Sequence, residues 1–180
     1  MKHLIFSLLL LGISLGAKQT KPNIILLMGD DHGWEEVGYN GHPYVKTPNL
    51  DKMASAGLRL DNFYAQPSCS PTRGSVLTGR HPNRYGIFRP GNSIRPKEIT
   101  IAHLLKDAGY TTAHFGKWHL ANNMITDSPL PSEYGYDEYG AFNCAGEQMP
   151  VHEDAKHTIA FIEKCNDEKK PFFINLWIHE

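Results

Sequence analysis

Two unbroken apolar runs most constrain what this chain can fold into. Asn23-Ile-Ile-Leu-Leu-Met28 halts at Gly29-Asp30-Asp31-His32-Gly33, and Phe172-Phe-Ile-Asn-Leu-Trp-Ile178 lies far downstream. Apolar runs of this length without polar alternation belong to strands buried on both faces, the habit of parallel sheets. Helical patterns fall between them. Thr47-Pro48 opens one, with Leu50, Met53 and Ala54 inward and Gly57 at its end. Ser70-Pro71 opens a second, closed by Gly79. Thr100 caps a third, with Ile101, Leu104, Leu105 and Ala108 inward and Gly109 beyond it. A fourth runs from about Glu153 to Cys165 on a stripe of Ala155, Ile159 and Ile162. Thr111 to Phe115 reads as a strand, Leu58 to Tyr64 as a short one, and Asn122 to Tyr139 as a loop rich in Pro, Gly, Ser and Asp. Strands alternating with helices predict an α/β fold with a mainly parallel sheet flanked by helices.

Met1-Lys2-His3 is short and basic, Leu4 to Leu15 is almost wholly apolar, and Gly16-Ala17 are small. This reads as a signal peptide over residues 1–17, the apolar run being shorter than the ~20 residues that span a bilayer. The expectation is a secreted or periplasmic protein with no membrane association after cleavage. With 18 basic against 19 acidic residues among 180, no global field draws in nucleic acid. Three cysteines are too few for a disulfide scaffold. The Phe172–Ile178 strand runs almost directly into Glu180, so residues 18–180 read as the N-terminal part of a longer catalytic domain, truncated before the fold is complete.

Three clusters carry chemistry. Asp30-Asp31 ends the first strand, where α/β sheets bind ligands, and adjacent carboxylates there suit a shared Ca²⁺ or Mg²⁺; the same residues also make a good turn. Cys69-Ser70-Pro71-Thr72-Arg73 places a thiol at a helix N-terminus with a nearby cation, which lowers a thiol pKa; the other reading is a small buried cysteine. No histidine base lies close in sequence, although a distant one can supply it. Gly116-Lys117-Trp118-His119 follows a strand and aims a cation and an imidazole at one side if the chain stays extended; a solvated loop fits equally.

Taken together, Cys69-x-Pro71-x-Arg73 followed by Leu77-Thr78-Gly79-Arg80, the Pro22–Ile25 strand ending in Asp30-Asp31, the Gly116–His119 segment and Gly135-Tyr136-Asp137-Glu138 resemble the sulfatase family, in order and spacing, over residues 22–180. Position 72 is Thr, where the family more often has Ser or Ala. The resemblance implies an alkaline-phosphatase-like fold and oxidation of Cys69 to formylglycine by a maturation enzyme. It implies Ca²⁺ held by Asp30 and Asp31 and touching residue 69. It also implies that Arg73 steadies the hydrated aldehyde, Lys117 contacts it and the sulfate, and His119 assists its deprotonation. The implied activity is hydrolysis of a carbohydrate or aryl sulfate. A phosphonate or phosphate ester hydrolase with the same nucleophile, or an unmodified paralogue that binds sulfated glycans, are the alternatives. The family's remaining calcium ligands, a second lysine and the histidine that protonates the leaving group lie beyond Glu180, so the resemblance implies that residues 1–180 alone are inactive. His179 is not assigned to that protonation.

Other features are read as structural. His152-Glu153 and His157 have the wrong spacing for zinc and read as a solvated helix face. Cys144 and Cys165 are equally compatible with a disulfide or with two buried thiols. Arg80, Arg84 and Arg89 with His81 could rim an anionic pocket but read better as a solvated face. Trp34, Trp118 and Trp177 read as packing.

Overall fold

A computed structural model describes residues 21–121 and 128–179. The signal peptide expected at 1–17 and part of the expected 122–139 loop lie outside the described residues. Four strands form one parallel sheet: β1 (Ile24–Gly29), β2 (Thr111–Lys117), β3 (Glu138–Phe142) and β4 (Phe172–Ile178), in the order β1-β4-β2-β3. The helices are α1 (Pro48–Ala56), α2 (Cys69–Thr78), α3 (Pro82–Tyr85), α4 (Ile101–Asp107) and α5 (Asp154–Asp167). The α/β architecture expected from the apolar runs is what forms.

Side-chain alternation along β2 and β4 divides the core in two. Ala113, Phe115, Phe172 and Ile174 face α5, where Phe161 and Cys165 meet them. Phe173 and Trp177 face the other way, into a larger core with Leu77 of α2, Tyr85 of α3, Ala102 of α4 and Trp118. The Thr100 cap is formed: its hydroxyl accepts from His103 N, and the His103 ring returns to the Thr100 backbone. Helix α2 ends on Gly79 in the left-handed region, as expected of a glycine past a helix end.

Several local expectations are corrected. Residues 58–64 form no strand; Leu58, Leu60, Phe63 and Tyr64 are exposed, because β-propensity without a neighbouring edge makes no ladder. Strand β1 is not buried on both faces, since Ile25 and Leu27 are exposed on a side that α5, packed on β2 and β4, does not reach. Met53 of α1 and Ile101 and Leu104 of α4 also face out; α4 turns Ala102 inward, with Leu105 packed beside it. The inner face of α5 is shifted by one residue to Asp154, Thr158, Phe161 and Cys165, leaving Ala155 and Ile159 exposed and Ile162 partly covered. Polar residues are tolerated there because Thr158 Oγ1 donates to Asp154 O at 2.8 Å and Asp154 Oδ1 accepts from Ala155 N at 2.6 Å. Strand β3 begins inside the segment expected to be loop. With Glu138 and Gly140 in it, it shows no apolar run, and among the described residues it pairs only with β2. Cys144 and Cys165 are both buried and unpaired. Trp118 and Trp177 pack as expected, whereas Trp34 is exposed.

Candidate active site

All three clusters meet at the carboxyl ends of the strands. Asp30 extends β1 by one rung, its N–H donating to Ile178 O at 3.1 Å. Lys117 ends β2; the next two residues keep the β3 pairing through Trp118 N to Phe142 O at 2.9 Å and His119 N to Asn143 O at 3.0 Å. His119 does not continue the extended chain. Its φ of 51° turns it towards α2, where its Nδ1 lies 3.2 Å from Cys69 Sγ. The histidine absent from the local sequence around Cys69 thus arrives from 50 residues away.

Helix α2 delivers the other groups. Cys69 is its first residue, and one turn on Arg73 is fully buried. The Arg73 guanidinium donates to Asp30 Oδ1 at 2.7 Å and to Lys117 O at 2.8 Å, and lies over the Trp177 ring with 4.8 Å to its centroid. It is therefore aimed at Asp30 and the β2 end, while Cys69 faces His119. Lys117 Nζ pairs with Asp30 Oδ2, and His179 Nδ1 lies 2.8 Å from the same oxygen. Burial pushes the Asp30 carboxyl up, but hydrogen bonds and charge from Lys117 and Arg73 outweigh it and hold the carboxyl down at about 2. Burial, then the charges of Lys117 and Arg73, pull the His119 pKa below 6.5, so its imidazole is a neutral base at neutral pH.

Thr72, the departure from the family's usual residue, is accommodated by a specific role. Its Oγ1 donates to Ser68 O at 2.8 Å and accepts from Gln66 N at 3.1 Å, tying down the turn that leads into Cys69. Gly116 is required for the strand ends to close. Its φ is +100°, and a Cβ there would lie 2.1 Å from the Trp177 carbonyl oxygen.

A cleft of about 260 Å³ opens beside these residues, lined by Asp30, Asp31, His32, Ser68, Cys69 and Arg73 among others. Asp31 is exposed at its edge with φ 56°. Two hard oxygen donors suit Ca²⁺ or Mg²⁺. Among the described residues no three His, Cys, Asp or Glu side chains converge as a metal cage, so Asp30 and Asp31 amount to part of such a site.

Two contacts were not legible in the sequence reading. His179 reaches Asp30; its place immediately after an apolar strand is the signal that marks it. Ser70 donates from Oγ to His119 O at 2.6 Å, fixing the backbone of the histidine that faces Cys69. Within the arginine group, Arg80 pairs with Glu98, a buried carboxylate that also takes Arg95, while Arg84 and Arg89 are exposed.

The sequence matches the Sulfatase family over residues 22–179. The chain belongs to the sulfatase family. It is 36% identical to N-acetylgalactosamine-6-sulfatase of Mus musculus over 198 residues, covering 97% of this chain and 38% of that protein. It is 43% identical to arylsulfatase A of Homo sapiens over 151 residues, covering 79% of this chain and 29% of that protein. Its fold resembles the crystal structure of Ps i-CgsB in complex with k-i-k-neocarrahexaose, with a TM-score of 0.78, 26% identity, and coverage of 89% of this chain and 45% of that one. The chain thus spans well under half the length of the two relatives, and 45% of the solved chain.

Proposed function

We propose that the full-length protein hydrolyses sulfate monoesters of sugars or aryl alcohols, with residue 69 as the nucleophile. The observation that carries the reading is the 3.2 Å approach of Cys69 Sγ to His119 Nδ1, beside the buried Asp30–Arg73–Lys117 cluster. The names of the two relatives, a sugar 6-sulfatase and an arylsulfatase, support the substrate class. The reaction consumes water and yields an alcohol and sulfate.

Each residue has a task that its position favours. Arg73 and Lys117 bring two cations to Asp30, next to the place where the oxygens of a sulfate group gain charge during transfer. His119 holds or accepts a proton at the residue-69 side chain, and its lowered pKa keeps it competent as a base. Ser70 and the Asn143 carbonyl hold His119 in place. Asp30 ties Arg73, Lys117 and His179 to one carboxylate. Formylglycine made from Cys69 would supply an aldehyde hydrate as the attacking group in place of a thiol. Ca²⁺ held by Asp30 and Asp31 would supply a fixed positive charge. The maturation enzyme and the secreted or periplasmic location belong to the same proposal. Among the described residues no helix is long and apolar enough to cross a membrane.

The test is mass analysis of the residue-69 peptide from the native full-length protein, together with turnover. Exchange of sulfur and two hydrogens for oxygen lowers the mass by about 18 Da. Aryl sulfate turnover should exceed that of the matching phosphate ester and vanish in Cys69→Ala. An unmodified thiol with undiminished sulfate release would remove residue 69 from this role.

A further inference from the structure

We propose that the Phe88–Pro90 turn is a leaving-group subsite of the same centre, in which Arg89 pairs a second anionic group carried by the alcohol. The proposal deepens the sulfate-ester reading and rests on it.

The turn is anchored at both feet. Ile87 is fully buried, and three residues beyond the Phe88 position Gly91 N donates to Ser70 Oγ at 3.0 Å. That same hydroxyl donates to the carbonyl of His119, the residue facing Cys69. Asn92 N also donates to Arg89 O at 3.4 Å, closing the turn. Two residues of chain span at most about 7 Å, so the Arg89 backbone is held within that distance of Gly91, and its long side chain extends the reach.

Charge is distributed unevenly around this turn. Buried Glu98 takes Arg80 and Arg95, and both of these also donate to Arg84 O. Arg89 is exposed, and among the described residues no carboxylate pairs with it. Phe88 beside it presents an apolar ring that is 64% exposed. A planar guanidinium matches a carboxylate or sulfate in two-pronged fashion, and an aromatic ring next to it suits the C–H face of a sugar. The ligand class is therefore an alcohol bearing a second anion, such as a disulfated or carboxylated sugar.

The experiment uses the full-length protein and two aryl sulfates alike except that one carries a ring carboxylate and the other a carboxamide. The wild type should favour the carboxylate through KM. Arg89→Gln should raise KM for the carboxylate at least fivefold more than for the carboxamide, and Arg89→Lys should recover part of the difference. An identical KM ratio in wild type and Arg89→Gln overturns the subsite. Absence of sulfate release from both probes would sink the hydrolase reading instead. The same probes then test the subsite by calorimetry on Cys69→Ala with and without Arg89→Gln. Charge-selective binding that disappears with Arg89 supports it; equal or absent binding overturns it.

Discussion

Arg73 and Asp30, 43 residues apart in sequence, form a buried ion pair with Nη2 2.7 Å from Oδ1, and the same guanidinium holds the Lys117 carbonyl. One planar fork thereby locks α2 to the carboxyl ends of β1 and β2. The thiol, the acidic pair and the lysine–histidine segment come into register through it.

Removal of the Asp30 charge should therefore be costly. Asp30→Asn leaves two buried cations without their anion, which costs about 3–5 kcal/mol. Asp31→Asn, at an exposed position, should stay within about 0.5 kcal/mol in the calcium-free protein. Urea denaturation of the full-length variants measures the difference; similar midpoints would mean that Asp30 is not the keystone. The pH dependence has a definite sign. Because the folded pKa is depressed from 3.8 to about 2, Asp30 stabilises the fold above pH 4, and this contribution fades as pH falls through 2.

Arg73→Lys keeps the charge and loses the fork. A lysine cannot grip Asp30 and the Lys117 carbonyl in the same plane. Turnover of an aryl sulfate should drop about a hundredfold while secondary structure by circular dichroism stays near wild type. Full activity in this variant would show that charge alone suffices.

His114 gives a second pH signature, of a different group and in a different range. It is fully buried and edge-on to Trp118 and Trp177. Burial, and then the charge of Arg73, lower its pKa from 6.5 to about 3. The unfolded chain takes up a proton that the folded chain refuses, so stability falls as pH drops from 6.5 towards 3. His114→Leu should flatten that limb by a few kcal/mol in denaturation at pH 7, 5 and 4. An unchanged slope would assign the acid sensitivity elsewhere.

Gly116→Ala should be among the most damaging single changes. The added methyl meets the Trp177 carbonyl, and alanine resists a φ of +100°. A loss of at least about 3 kcal/mol is expected by chemical denaturation. Near-wild-type stability would mean that β2 and β4 can separate at the site without penalty.

Much of the site was legible because its chemistry is written in short contiguous segments. Cys69, Arg73, Lys117, His119, Asp30 and Asp31 were all named from local pattern and family resemblance, and they do gather at one sheet end. What local pattern misjudged was exposure. Ile25, Leu27, Met53, Leu104 and Ile159 are apolar yet face out, and the inner stripe of α5 is displaced by one residue. A helix's own periodicity says that a face exists; the neighbour that covers it decides which one.

The sequence by itself determined the strand–helix alternation, the capped helix starts and the residue types of the chemistry. These depend on side-chain polarity and backbone preference within a few residues. Only the tertiary structure decided that His119 is the partner of Cys69, that Arg73 turns to Asp30, and that His179 and Ser70 belong to the site. Those pairings join residues 43 to 149 positions apart. They arise because parallel pairing in the order β1-β4-β2-β3 puts all the strand ends on one edge, a consequence of sheet topology that no local segment encodes.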